Sequence, residues 1–298
     1  MLQYTENILE GASQGALRNG SEICYNECMM HSYTMEGTSH WAGLGSLAIS
    51  QELWNAYSNP VDPFKPRIVR IENVEDQPLY QKKDIDLLVH SYRPRTMDSA
   101  VSSIEIKADT YAAGDFPGRS DQGNFFFELV SNDTRNPRTP GCFVYCEADH
   151  FYYLFLATGT LYTFDCKALQ QSVLKRIGFD AERFLSDPRS LTDIRMPGLK
   201  HTSTRIGGVV RYRTWGVALP IAQVLRWAQE DGVRVQKRSM LNQVHSAACQ
   251  MGMEQAFLDK VPLEIRRRLP GPVSAAPSPM QQPVRVSRPN PQGIPMAA

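Results

Sequence analysis

Two stretches of this chain, KKDIDLLVHS (residues 82–91) and SSIEIKAD (residues 102–109), place acids and a lysine inside runs that otherwise read as β-strand. Side chains alternate faces along a strand. In SSIEIK this sets Ile104 and Ile106 on one face and Glu105 and Lys107 on the other; in DIDLLV it sets Ile85, Leu87 and Val89 against Asp84, Asp86 and Leu88. If the two strands pair, one face is ordinary apolar sheet, and the opposite face gathers Asp86, Glu105 and Lys107. A carboxylate left unpaired in apolar surroundings carries a heavy desolvation cost, which a shared divalent cation offsets. Two carboxylates and one backbone carbonyl, here that of Ile106, form an oxygen-only set suited to Mg²⁺ or Mn²⁺. Such an ion polarises a phosphodiester and favours ionisation of water. Lys107 beside it is placed to orient the attacking water or to stabilise charge on phosphorus. The expected chemistry is metal-dependent phosphodiester hydrolysis.

Asp86, then Glu105-Ile106-Lys107 between apolar flanks, resembles the PD-(D/E)XK nuclease superfamily. The downstream segments GNFFFELVSN and TPGCFVYCEADHFYYLF are similar to a phage-associated subgroup of it, and the resemblance covers residues 67–165. It implies an α/β, restriction-endonuclease-like fold with a mixed central sheet flanked by helices, and Mg²⁺- or Mn²⁺-dependent cleavage of DNA. It also implies Glu128 as a further acidic site residue. Family members often draw one more acid from an N-terminal helical zone, where Glu22, Glu27, Glu36 and Glu52 are candidates; Glu52, on an otherwise apolar helix, is preferred. The DID triplet offers two choices for the first acid. Asp86 is favoured because Leu87-Leu88-Val89 follow it directly, with Asp84 as either a second ligand or a strand-entry residue. Asp109 either assists or ends the strand. The other acid-x-Lys triplet, Asp165-Cys166-Lys167, follows YTF and opens a helical run, so Asp165 reads as an N-cap. A competing class is a non-catalytic adaptor that keeps the fold and binds nucleic acid or a protein partner.

Around that centre, the loop DTYAAGDFPGRSDQGN suits a flap, in which Arg119 would touch phosphate and Gln122 the substrate or a metal-bound water. Lys237 and Arg238 in VRVQKRS are further candidate DNA contacts. The aromatic run HFYYLFL reads as core strand. Alternation in NFFFELVSN puts Phe126, Glu128 and Val130 on one face and Phe125, Phe127 and Leu129 on the other.

The elements that must hold these residues fall into zones. Residues 1–60 read as helical, ending at Asn59-Pro60. Residues 61–235 read as the nuclease core, with strand-like RIVRIEN, DIDLLVH, SSIEIK, NFFFELVS, HFYYLFL, TLYTFD and VVRYRTWGVAL, and helical KALQQSVLKRI and PIAQVLRWAQE. A polar stretch over residues 180–205 interrupts it. Residues 236–269 read as a helical segment, and residues 270–298, rich in Pro and small polar residues, as a disordered tail. Residues 260–298 hold six cations against one acid in a chain of net charge +1. A basic tail on a slightly acidic body fits a polyanion, a protein partner or self-association, while bulk electrostatic coating of nucleic acid is excluded.

No apolar run approaches the ~20 residues needed to span a bilayer. The opening MLQYTENILEGAS is acidic and unlike a secretion signal, so a cytoplasmic location is expected. Two Cys-x3-Cys pairs, CYNEC with a helical flank and CFVYC with a strand flank, lack the tight-turn hook of a zinc site and read as reduced thiols. None of the six histidines stands in a metal or triad spacing.

Overall fold

The computed structural model describes residues 38–135, 137–186, 196, 198–206 and 209–269. Within them a mixed six-stranded sheet lies between a helical layer on one face and a second, antiparallel sheet with its own helices on the other. The α/β architecture expected from the sequence is therefore present. The helix candidate around Cys24 and Cys28, the acids Glu22, Glu27 and Glu36, and the Pro-rich tail lie outside the described residues.

The central sheet is built from β1 (Arg67–Asn73), β2 (Leu87–Arg93), β3 (Asp98–Asp109), β8 (His150–Phe155), β9 (Thr160–Asp165) and β12 (Val235–Ser239), in the order β1-β2-β3-β8-β9-β12. All neighbours are antiparallel except β3 and β8, which run parallel with Glu105 opposite Phe151 and Lys107 opposite Tyr153. β12 pairs with β9. This corrects the boundary expected at residues 235/236, which falls inside a strand of the central sheet.

The second sheet, ordered β10-β11-β6-β7, holds β6 (Asn124–Asn132), β7 (Thr139–Pro140), β10 (Leu199–Ile206) and β11 (Val209–Pro220). NFFFELVSN thus leaves the EIK sheet and packs across it. Both β6 and β8 are too aromatic to face water, and facing each other removes that surface. Phe125 sits at the centre of the contact, 4.9 Å from Tyr153 and 5.1 Å from Tyr162 in edge-on geometry. The expected flap instead folds into a hairpin of β4 (Gly114–Phe116) and β5 (Arg119–Gln122). CFVYC, expected with a strand flank, begins with a short helix, α3 (Cys142–Tyr145), and the polar 180–205 stretch contains α5 (Ala181–Ser186) and most of β10.

Two apolar clusters mark the faces of the central sheet. Ile104 and Ile106, with Leu87 and Val89, pack against α1 (Thr38–Tyr57), α7 (Leu241–Gln250), α8 (Glu254–Lys260) and α9 (Leu263–Arg266). Phe151, Tyr153 and Phe155 pack the other way, against β6, β11, α4 (Cys166–Arg176) and α6 (Ile221–Glu230). Asp165 caps α4 as expected, accepting from the Ala168 amide at 2.9 Å.

α1 meets β3 at Gly45, where an added Cβ would stand 2.6 Å from Ala108 Cβ. Gly→Ala within a helix ordinarily stabilises by about 1 kcal/mol. Here overpacking of about 1–3 kcal/mol reverses the sign, so Gly45→Ala is expected to lower the midpoint of urea unfolding.

Candidate metal centre

The acids reach one another because the chain enters β2 through a turn. Asp84 takes φ +55°, in the left-handed region that short Asp and Asn side chains tolerate. That residue interrupts the alternation, and regular β2 begins only at Leu87. The turn is pinned from three sides: Ile85 N donates to Tyr80 O, Glu147 N to Lys83 O at 2.8 Å, and Cys146 Sγ to Asp84 O at 3.3 Å. Asp86 then joins the sheet. Its amide donates to Ile104 O at 2.9 Å, and its Oδ2 accepts from the Ile106 amide at 2.7 Å.

Glu105 is buried, 5% exposed, and looks between the two sheets, with its carboxyl close enough to those of Asp86 and Asp84 for the three to influence one another's ionisation. Oxygens of Asp84 and Glu105 and the sulfur of Cys142, the first residue of α3, all lie within 4.8 Å of one another. Gly141 makes that approach possible: a Cβ there would stand 2.5 Å from the carbonyl carbon and oxygen of Glu128. One oxygen of Asp84 and one of Glu105 are buried without a hydrogen-bond partner. Groups in that position are satisfied by water or a cation, or else remain protonated.

The electrostatics match. Burial pushes Asp84 up to about 6, opposed mainly by the charge of Lys107. Burial likewise lifts Asp86 to about 6, against the bond from the Ile106 amide. Glu105 rises well above the usual carboxylate range through burial, then through Asp86 and Asp84. The Lys107 ammonium is held above its ordinary range by the Cys142 sulfur first, then by Glu128, Tyr153 and Glu105, while burial opposes them. Burial also raises the Cys142 thiol. The sulfur is therefore neutral at neutral pH, and the carboxylates carry the pairing with Lys107 there.

Relative to expectation, Asp86, Glu105 and Lys107 do converge, but the emphasis between the two aspartates shifts. Asp86 spends one oxygen on β3, whereas Asp84 keeps an unpartnered oxygen in the group with Glu105. Ile106 meets the cluster through its amide. Glu128 acts on Lys107, Asp84 and Cys142 through charge, with Oε1 bound to Ser131 Oγ at 2.5 Å. Asp109 ends β3 and accepts from Tyr153 Oη at 3.1 Å.

Several assignments fail on position. Glu52 is on α1, across the sheet from Glu105, and accepts from Gln243 Nε2 at 2.9 Å. Gln122 is exposed on the hairpin and bonds Ser120 O. Arg119 pairs with Glu264 at 2.8 Å and lies over the Phe116 ring. Lys237 bridges Asp115 and Asp121 at 3.1 and 3.0 Å, three strands from β3, a distance of about 14 Å. Arg238, one residue on, points to the helical face and bonds Tyr57 Oη at 2.6 Å. For the three cations an internal partner competes with a phosphate.

The sequence reading missed Cys142, Tyr145 and Glu75. Burial, then the charge of Asp86, lifts Glu75 to about 7. Tyr145 is raised by burial and next by Asp84. Glu75 lies just past the RIVRIEN strand, and only the antiparallel pairing of β1 with β2 brings it back beside Asp86.

A pH consequence follows. A carboxyl whose folded pKa is raised contributes stability that is complete below its unfolded value of 3.8 and is lost as pH rises through about 6. In chelator, Asp84→Asn is therefore expected to match the parent near pH 3 and exceed it at pH 7 by on the order of 2 kcal/mol. Asn also suits the left-handed backbone. Denaturant unfolding at the two pH values checks this.

No protein-family model, no curated protein and no solved structure matches this chain. Among the described residues, no helix is long and apolar enough to cross a membrane.

Proposed function

We propose that the protein is a metal-dependent nuclease that hydrolyses DNA phosphodiester bonds, with a restriction-endonuclease-like fold of the PD-(D/E)XK kind. The observation that carries this reading is the convergence of Asp84, Asp86 and Glu105 around buried oxygens without partners, with Lys107 on the same face. A hard-oxygen donor set of this kind fits Mg²⁺ or Mn²⁺. Asp84 and Glu105 would hold the ion, with Asp86 beside them.

When bound, the ion supplies Lewis acidity toward a phosphodiester oxygen and toward water. The remaining work falls to the chain. Asp86 fixes β3 by accepting from Ile106, so Glu105 is aimed by the sheet rather than by a loop. Lys107, held charged by the surrounding carboxylates, donates to a phosphate oxygen and stabilises charge building on phosphorus. Glu128 sustains that charge from the facing sheet. The apolar aromatic layer beneath limits water, which strengthens each interaction.

The test is incubation with supercoiled, linear, single-stranded and branched DNA in Mg²⁺ or Mn²⁺, with chelator as control. Nicking or shortening that chelator abolishes supports the reading, and intact DNA in every form overturns it. One observation favours the adaptor alternative in its protein-binding form: Arg119, Lys237 and Arg238, the cations assigned to DNA, are engaged within the chain. An adaptor binds DNA or a protein with no divalent ion at the acidic cluster.

A further inference from the structure

The helical layer holds a second group of converging donors, chemically unlike the first. His245 and Cys249 are four residues apart on α7, so they share one helix face. The helix ends in a Schellman turn: Met253 N donates to Ala248 O at 2.8 Å and Gly252 N to Cys249 O at 3.1 Å, with Gly252 at φ +68°. That reversal starts α8 at Glu254, whose carboxylate comes back over the same face. A nitrogen of His245, the sulfur of Cys249 and an oxygen of Glu254 all lie within 4.8 Å of one another.

The details favour ligation over a plain ion pair. His245 is buried, 6% exposed, and its ring stacks on Phe257 at 5.9 Å, so its orientation is fixed. Its Nε2 stands 3.4 Å from Glu254 Oε1, long for a good hydrogen bond. Nitrogen and oxygen on two corners of a tetrahedral zinc site, each about 2.0–2.1 Å from the metal, stand about 3.3 Å apart. Cys249 and Glu254 are exposed, which leaves a solvent-side position for a fourth ligand. Mixed imidazole, thiolate and carboxylate donors suit zinc and its borderline neighbours, not magnesium.

We propose that His245, Cys249 and Glu254 bind a zinc-class divalent ion, with water as fourth ligand, clamping α7 to α8. α7 packs on α1, so the clamp stiffens the layer that backs β3. It is separate from the acidic centre and requires no nuclease activity.

Co²⁺ added to the full-length protein is the probe, because a thiolate–cobalt charge-transfer band reports sulfur ligation directly. One equivalent is expected to produce that band with tetrahedral visible bands, and Zn²⁺ is expected to displace it. The band should persist in Cys142→Ser and Glu105→Gln and vanish in Cys249→Ser. Glu254→Gln should weaken Co²⁺ binding by more than the tenfold or so that loss of an outer partner costs. Zn²⁺ should raise the melting temperature of the parent but not of Cys249→Ser, an exposed substitution that leaves the core intact. No band in the parent, or a band that survives Cys249→Ser, overturns the proposal.

Discussion

Glu105→Gln is expected to lower metal-dependent cleavage at least a thousandfold, or about 4 kcal/mol of transition-state stabilisation, without unfolding the protein. Glu105 is the most buried acid of the cluster, and it stands close to both aspartates. On the proposed function its removal takes away a ligand oxygen and the centre of the acidic network together. Glutamine keeps the shape and brings no charge to desolvate, so metal-free stability should be equal or higher. Single-turnover cleavage beside a thermal melt reads both quantities. Full activity in a folded variant would remove Glu105 from the chemistry.

Lys107→Met is expected to do the reverse to stability. It leaves Asp84, Asp86 and Glu105 without their cation, and removing one partner of a buried charge cluster costs about 3–5 kcal/mol. Lys107 retains some exposure, which brings the expected loss to about 2 kcal/mol. The sign of the pH dependence is fixed by the acids. They are raised in the folded state, so near pH 4 they are largely protonated and the missing cation matters little. The deficit should open as pH rises through about 6, where Asp84 and Asp86 ionise. Urea unfolding in chelator at pH 4.5 and 7.5 measures it, and an equal loss at both values would show that Lys107 acts by packing alone. Cleavage should also fall sharply, since Lys107 is the cation whose charge acts on Asp84 and Asp86.

How far the sequence carried the structure is clearest on β3. Its period-2 pattern alone placed Ile104 and Ile106 on one face and Glu105 and Lys107 on the other, because one register satisfies both faces, and the structure covers the first with helices. One step earlier the acids meet Glu105 as the alternation implied, but by a different route. Asp84 and Asp86 share a parity, yet a left-handed residue at Asp84 ends the extended chain, and no alternation pattern carries that information. Glu52 failed for another reason. The apolar spacing of α1 shows that it packs on the sheet, but not on which face, and the face decides whether an acid joins Glu105 or lies across the sheet from it. Arg119, Lys237 and Arg238 were read as free cations, because their partners Glu264, Asp115, Asp121 and Tyr57 lie far along the chain. The His245–Cys249 pair was passed over in the sequence, because its third member, Glu254, is brought to it only by the Gly252 turn.

The most direct measurement of the central claim is calorimetric titration of Mn²⁺ into Cys249→Ser protein near neutral pH, where the helical-layer donors no longer compete. Saturable binding of one ion or more is expected, weakened at least about tenfold by adding either Asp84→Asn or Glu105→Gln. Absence of binding, or binding indifferent to both substitutions, would contradict a metal centre at the acidic cluster.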